Sequence, residues 1–258
     1  MPSYVPIETA KTMPGMRLVL TAIAGAPWTE AAKAVFHVKR IPYAPVAQKP
    51  VETNAALRAW TGHENAPIAI YENEKPRAGW AEILFLVERL APEPRLIPED
   101  PEDRVRMFGL AQELCGEDGL AWNRRHQMVE GSRNPTSGAV PGPIGEYLAK
   151  RYDYSEAAAA RAPRRVAEIL TTMSRQYRLQ KERGRKFLIG DALSALDLYW
   201  ATFAAIVDPL PNQYCAMPDW LRNAYKVTDR AVTSALDPGL LEHRDRIYRE
   251  YLPLPIDA

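Results

Sequence analysis

The chain changes character at EPRLIPEDPEDR, residues 93–104, and that change limits its architecture more than any other feature. Before it, strand-like and helix-like runs alternate. Arg17–Ile23, RLVLTAI, reads as a strand, and Thr29–Lys39 as a helix with Ala31, Ala32, Val35 and Val38 on one stripe. Ile41–Val46, IPYAPV, is strand-like, and its two prolines place it at a sheet edge. A short helix is expected over Ala55–Trp60 and a strand over Pro67–Tyr71, with only a very short partner strand after ENEKPR. Trp80–Leu90 closes this part as an amphipathic helix. Beyond the change there is no convincing strand. A long helix over Glu102–Gly131, a loop over SRNPTSGAVPGP and a short helix over Ile144–Tyr152 are expected. Ser155 caps an Ala-rich turn, and Pro163 opens a new helix to about Arg183. A strongly apolar central helix, Leu193–Val207, precedes two shorter ones near Asp219–Arg230 and Gly239–Tyr251. The fold class is therefore α/β plus all-α, divided as an extended arm (1–15), a small mixed-sheet domain (16–94) and a helical domain (95–258).

Composition narrows the functional classes. The net charge of +1 gives no global field for nucleic acid. No apolar run approaches a membrane span, and MPSYVPIETAKTMPGM lacks the apolar core of a secretory signal. The two cysteines, Cys115 and Cys215, lie far apart without a CxxC partner, so a reducing cytoplasm is expected rather than a disulfide framework. His37, His63, His126 and His243 have no metal-ligand spacing, and no metal is expected. There is no Gly-rich phosphate loop and no GxSxG elbow.

Four stretches carry candidate chemistry. GAPWTEAAKAVF, Gly25–Phe36, is a strand–turn–helix junction with Ala26 where such turns often hold a nucleophile. Thr29 falls in the first helical turn, where free N–H groups and the helix dipole favour negative charge; it either caps the helix or donates its hydroxyl to an anion. NAPI, Asn65–Ile68, opens a strand with proline, and a cis Ala66–Pro67 bond would expose the Ala66 backbone to an extended peptide. SALD, Ser194–Asp197, reads as a structural capping box, with Ser194 accepting from the N–H three residues on and Asp197 reaching back. WNRRHQ, Trp122–Gln127, sets an aromatic beside paired arginines; a solvated helix face is the preferred reading, an acidic aromatic substrate the other.

Taken in order, RLVL, APWTEAAKAVF, IPYAPV, NAPIAIY, GWAEILFLVERL and FLIGDALSALDLYW resemble the cytosolic glutathione transferase superfamily over nearly the whole chain after residue 15. The resemblance implies a thioredoxin-like N-terminal domain, a helical-bundle C-terminal domain and a homodimer. It also implies glutathione as co-substrate, with Ala66–Pro67 pairing to the cysteinyl unit and Asn65 near the glycyl end. Ala26, Ala78 and Gly79 depart from the family pattern: the catalytic Ser, Cys or Tyr and the acid–Ser pair are missing. What survives is Thr29 as the catalytic donor to a thiolate, and the N–H groups of Gly79 and Trp80 at a helix start as an anion site. The opposing reading is that Gly79–Trp80 merely starts a helix. Trp28 and Trp80 face the groove or wall the domain interface. The implied function is transfer of, or chemistry with, the glutathione thiolate on a small hydrophobic electrophile; the alternative is a non-catalytic ligand-binding or protein-interaction protein.

Overall fold

The computed structural model describes residues 4–134 and 140–257. In chain order the elements of the first part are α1 (Ile7–Thr12), β1 (Met16–Thr21), α2 (Pro27–Val38), β2 (Ala44–Gln48), α3 (Ala55–Thr61), β3 (Ile68–Tyr71) and α4 (Trp80–Leu90). Then follow α5 (Pro101–Cys115), α6 (Leu120–Arg133), α7 (Gly142–Arg151), α8 (Glu156–Glu182), α9 (Ala195–Phe203), α10 (Asp219–Tyr225), α11 (Arg230–Ala235) and α12 (Pro238–Tyr251). The α/β-plus-helical class is as expected. β1 is the central strand, parallel to β2 and antiparallel to β3. Its period-two pattern sends Leu18 and Leu20 into the main core with α2 and α4. Val19 points the other way, into a smaller cluster with Val46, Leu57 and Ile68. The chain after β3 returns to the sheet only as the single bridge Ala69–Arg77, so the partner strand is as short as the sequence implies.

The N-terminal arm is not extended. Residues 7–12 form α1, which buries Ala10 in the smaller cluster, and the Val5 N–H donates to the Pro45 carbonyl at 2.8 Å. The arm thus covers the β2 edge, whose free carbonyls would otherwise face solvent.

Three helical boundaries differ from expectation. The helix expected over Glu102–Gly131 is two, α5 and α6, broken at Gly116–Gly119. Asp118 there takes a left-handed φ of 56°, and a side chain on Gly119 would lie 2.8 Å from the carbonyl oxygens of Glu113 and Gly116. Conversely, α8 does not restart at Pro163 but runs unbroken from Glu156, with Ser155 Oγ accepting from the Ala158 N–H at 3.2 Å. Proline removes one ladder bond, and the Ala-rich start together with the buried face of Val166, Ile169, Leu170 and Met173 offsets that loss. The Asp219–Arg230 helix ends at Tyr225, and α11 begins separately at Arg230, capped by Asp229. Of the loop expected over residues 132–143, Ser132 and Arg133 belong to α6 and Gly142 and Pro143 to α7, and 135–139 lie outside the described residues.

At the centre is α9, every residue of which is buried; it packs against α2, α5 and α12. Asp197 in its first turn is fully buried and accepts four donors. Oδ2 takes the Ser194 N–H (2.9 Å) and the Ser194 hydroxyl (2.8 Å); Oδ1 takes the Leu188 N–H (2.8 Å) and His243 Nε2 of α12 (2.9 Å). The acid reaches back as the capping box requires. The Ser194 hydroxyl in addition donates to that carboxylate, a strong buried acceptor. Asp197→Ala is expected to destabilise the protein by about 3–5 kcal/mol, because it strands buried donors, and Asp197→Asn by less. Urea unfolding followed by fluorescence measures this.

Candidate functional site

A cavity of 360 Å³ opens between the C-terminal end of β1, the N-termini of α2 and α4, and the helices α5, α6, α7 and α10. Every residue singled out for binding or catalysis lines it: Trp28, Thr29, Asn65, Ala66, Pro67, Gly79 and Trp80, together with Ala26 and Ala78. They come from three separate segments, and the sheet brings them together.

The turn before α2 is shaped by Gly25, which has a left-handed φ of 75° and whose Cβ would lie 2.9 Å from Met217. Ala26 occupies the N-cap without a side-chain acceptor, and Pro27 has no N–H to satisfy. The Trp28 and Thr29 N–H groups therefore stand without partners among the described residues, with the dipole of α2 behind them. Thr29 is 3% exposed, and its Oγ1 accepts from the Thr21 N–H at 3.0 Å. It ties α2 to the end of β1 rather than capping its own helix, and it keeps its hydroxyl proton to donate.

Trp28 and Trp80 serve the interface as well as the cavity. The Trp28 indole N–H donates to the Cys115 carbonyl at 2.9 Å, and its ring lies stacked with Tyr152 and edge-on to Phe203. Trp80 meets Tyr199 edge-on. Both bind the α/β part to the helices.

The Ala66–Pro67 peptide is cis, as expected. Neither the N–H nor the C=O of Ala66 has a partner among the described residues, so both remain open to a ligand backbone. The stretch expected as an anion site, Gly79–Trp80, offers less than that reading requires. The Gly79 N–H is not free: it donates to Glu82 Oε2 at 3.1 Å, so a carboxylate of the chain already occupies that donor. Glycine has no side chain to complete a capping box, and Glu82 supplies the only half present. The Trp80 N–H, one residue on, lacks a partner among the described residues.

Gln48, at the end of β2, was not evident from the sequence. It is 1% exposed, its Oε1 accepts from the Thr21 hydroxyl at 3.2 Å, and its Nε2 has no partner. Only its place at the end of an edge strand signals it. The WNRRHQ stretch is also not a solvated face: Arg124 and Arg125 are 6% and 7% exposed, and Arg125 lines the cavity. Cys115 lines it too, but burial pushes its thiol well up, which leaves it unsuited to nucleophilic work. Among the described residues no group of three or more metal-ligating side chains comes together, and no helix is long and apolar enough to cross a membrane.

No family model matches the chain, and no curated protein matches its sequence. Its fold matches many solved structures. The beta-etherase LigF of Sphingobium sp. strain SYK-6 aligns with a TM-score of 0.61 at 15% identity, over 92% of this chain and 97% of that one. A glutathione S-transferase of Methylobacterium radiotolerans, in complex with glutathione sulfonate, gives 0.58 at 18% identity over 92% of both chains. A rice transferase in complex with glutathione gives 0.56 at 16% identity over 93% of both. The chain has the glutathione S-transferase fold: a thioredoxin-like unit followed by a helical one.

Behind the turn before α2, Glu30 of α2 is 6% exposed, accepts from the Gly25 N–H at 3.3 Å and pairs with Lys33 at 3.2 Å. Burial raises its carboxyl to about 7, against the pull of Lys33. A raised carboxyl contributes stability that is full below its unfolded value of about 4.3 and is lost as pH rises through the folded value. The melting temperature of the wild type is expected to fall from about pH 4.5 to pH 7.5, whereas that of Glu30→Gln falls much less. Thermal denaturation at constant ionic strength reads the difference.

Proposed function

We propose that this chain, which has the glutathione S-transferase fold, is a glutathione-dependent transferase acting on a small hydrophobic electrophile. The observation that carries the reading is the set of unpartnered backbone donors and acceptors on one wall of the cavity. Ala66 offers an N–H and a C=O, and Trp28 and Thr29 offer two N–H groups at a helix N-terminus. Ala66 pairs with the cysteinyl unit as an added strand does. Asn65 and the free Nε2 of Gln48 serve the glycyl end, and the Trp80 N–H serves the γ-glutamyl carboxylate. The thiolate then lies before α2, stabilised by its dipole and by the Thr29 hydroxyl.

Ala26 is no obstacle to this chemistry. Glutathione brings the nucleophilic sulfur, and the protein needs only to lower its proton affinity and hold it near the acceptor. Sulfur attacks the electrophilic carbon, and the leaving group departs with the bonding pair. A binding protein without turnover is the second reading. It is favoured by one observation, the Glu82 carboxylate on the Gly79 N–H, which competes with the γ-glutamyl carboxylate. The site is suited to a cytoplasmic location, where glutathione is abundant and thiols stay reduced.

A homodimer is the proposed assembly. Phe85 on α4 is 47% exposed and stacks on Phe108 of α5 with the Arg104 guanidinium over both rings, and Val105, three residues before Phe108 on α5, is 74% exposed, giving a largely apolar face that spans both parts of the chain. Phe85→Glu is expected to shift the protein from dimer to monomer in light scattering, with its secondary structure unchanged.

Calorimetry is expected to detect glutathione binding at or below millimolar ligand. Thr29→Val is expected to lower turnover of an activated aryl chloride about 10-fold or more and to raise the pH at which bound thiolate absorbance appears, while Thr29→Ser restores both. Absence of binding at millimolar glutathione removes the transferase reading. Binding without turnover across aryl chlorides, epoxides and aryl ethers selects the second one.

A further inference from the structure

The two adjacent arginines of α6 are buried side by side, yet their surroundings differ. Arg124 is held by the chain. Its Nε donates to the Ile206 carbonyl (2.8 Å), one terminal nitrogen donates to Gln127 Oε1, and the other to the carbonyls of Ala224 (2.9 Å) and Tyr225 (3.2 Å). Burial, with Arg125 beside it, lowers Arg124 to about 10. It is a strut between α6 and α10.

Arg125 has no such set. One terminal nitrogen meets the thioether sulfur of Met128 at 3.1 Å, a weak acceptor, and the other meets Tyr225 Oη at 3.2 Å. Its Nε is buried with no partner. No carboxylate forms an ion pair with it among the described residues; Glu117, which also lines the cavity, is exposed. Burial pushes the Tyr152 phenol up, so that neighbour is neutral at physiological pH. Burial works against the Arg125 charge, and the Tyr225 and Tyr152 phenols more than offset it, so the guanidinium stays fully charged in a wall that offers it phenols and no paired carboxylate. Around it, the helical side of the cavity is aromatic: Trp122 meets Tyr152 edge-on at 4.9 Å, and Tyr147 lies alongside on α7. A planar five-donor fork amid aromatic rings matches a planar carboxylate on an aromatic ring.

We propose that the electrophile taken by this cavity is an aromatic carboxylate, with its anionic group on Arg125 and its ring against Trp122 and Tyr152. This names the substrate class of the transferase reading and rests on it for the transfer step. The anion site itself exists without glutathione. In the transfer, the glutathione sulfur bonds to the ring carbon bearing the leaving group. That bond breaks with its electron pair on the leaving group, and the thiol proton goes to solvent. The carboxylate is untouched and serves to place the ring.

The full chain is tested with para-chloro-meta-nitrobenzoate and its methyl ester, first by calorimetry without glutathione. The acid is expected to bind about 10-fold or more tighter than the ester, a preference lost in Arg125→Met and partly kept in Arg125→Lys. With glutathione added, the acid-to-ester ratio of kcat/KM, each corrected for its uncatalysed rate, is expected to fall by a similar factor in Arg125→Met. The melting temperature of ligand-free Arg125→Met should equal or exceed that of the wild type, because a buried charge without a carboxylate partner has gone, whereas Arg124→Met should melt lower. Equal binding of acid and ester by the wild type, or an acid preference that survives in Arg125→Met, overturns the proposal. So does a large fall in the melting temperature of Arg125→Met, which would assign Arg125 to the scaffold. Acid binding through Arg125 without glutathione turnover leaves the anion site standing and removes the transferase. Glutathione turnover of the ester without acid preference does the reverse.

Discussion

A fully buried carboxylate is tolerable only when its lone pairs are filled, and the four donors on Asp197 fill them from three directions. Two donors come from Ser194, one from the strap at Leu188 and one from α12. Arg246 faces His243 Nδ1 at 3.3 Å, which leaves the other ring nitrogen as the N–H donor to Asp197. The carboxylate thus fixes where α9 starts and how it enters the core. Everything that leans on α9 inherits that position, including α2, whose N-terminus lies at the cavity, and α5, whose Cys115 carbonyl anchors Trp28. The cavity depends on this polar knot, although it lies in another part of the molecule.

The two halves of the cavity are specialised in physically different ways. The α/β wall presents backbone groups, and backbone groups do not depend on side-chain identity. Ala66 serves as well as a larger apolar residue, and Ala26 leaves the helix N-terminus in place. The helical wall presents side chains, and there identity decides everything. Arg125 and its aromatic neighbours are positioned by the packing of α6 against α7 and α8. A scaffold of this kind can keep one ligand through main-chain geometry while changing its second ligand by substitution on a few helical positions.

This division also explains what the sequence made legible. Strand and helix patterns placed β1, α2, β3 and α4 well, because the two strands are apolar runs buried on both faces and each helix records in its period the stripe it buries. The turn residues Ala66 and Thr29 were found because a proline and a helix start mark them locally. The breaks at Gly116–Gly119 and the continuity through Pro163 were not legible. Each is decided by neighbours distant in sequence or by a balance between propensity and packing. Gln48 gave no local signal, because its significance is an unfilled donor. Such a donor exists only once Thr21 has taken the other end of the amide.

The arginine pair shows the same limit most sharply. In sequence, Arg124 and Arg125 are equivalent members of a polar run, and a solvated face is the economical reading. Successive residues on a helix point about 100° apart, so one of a buried pair must face a different neighbour from the other. Arg124 meets the carbonyls at the end of α10, where helix C-termini concentrate unpaired acceptors and suit a cation. Arg125 meets a sulfur, a phenol and the open cavity. A protein that needed only packing at that position would be more stable with an apolar side chain of similar length. Keeping a charge there makes physical sense when something else supplies the counter-charge. The cavity in front of Arg125 is the place from which it can come.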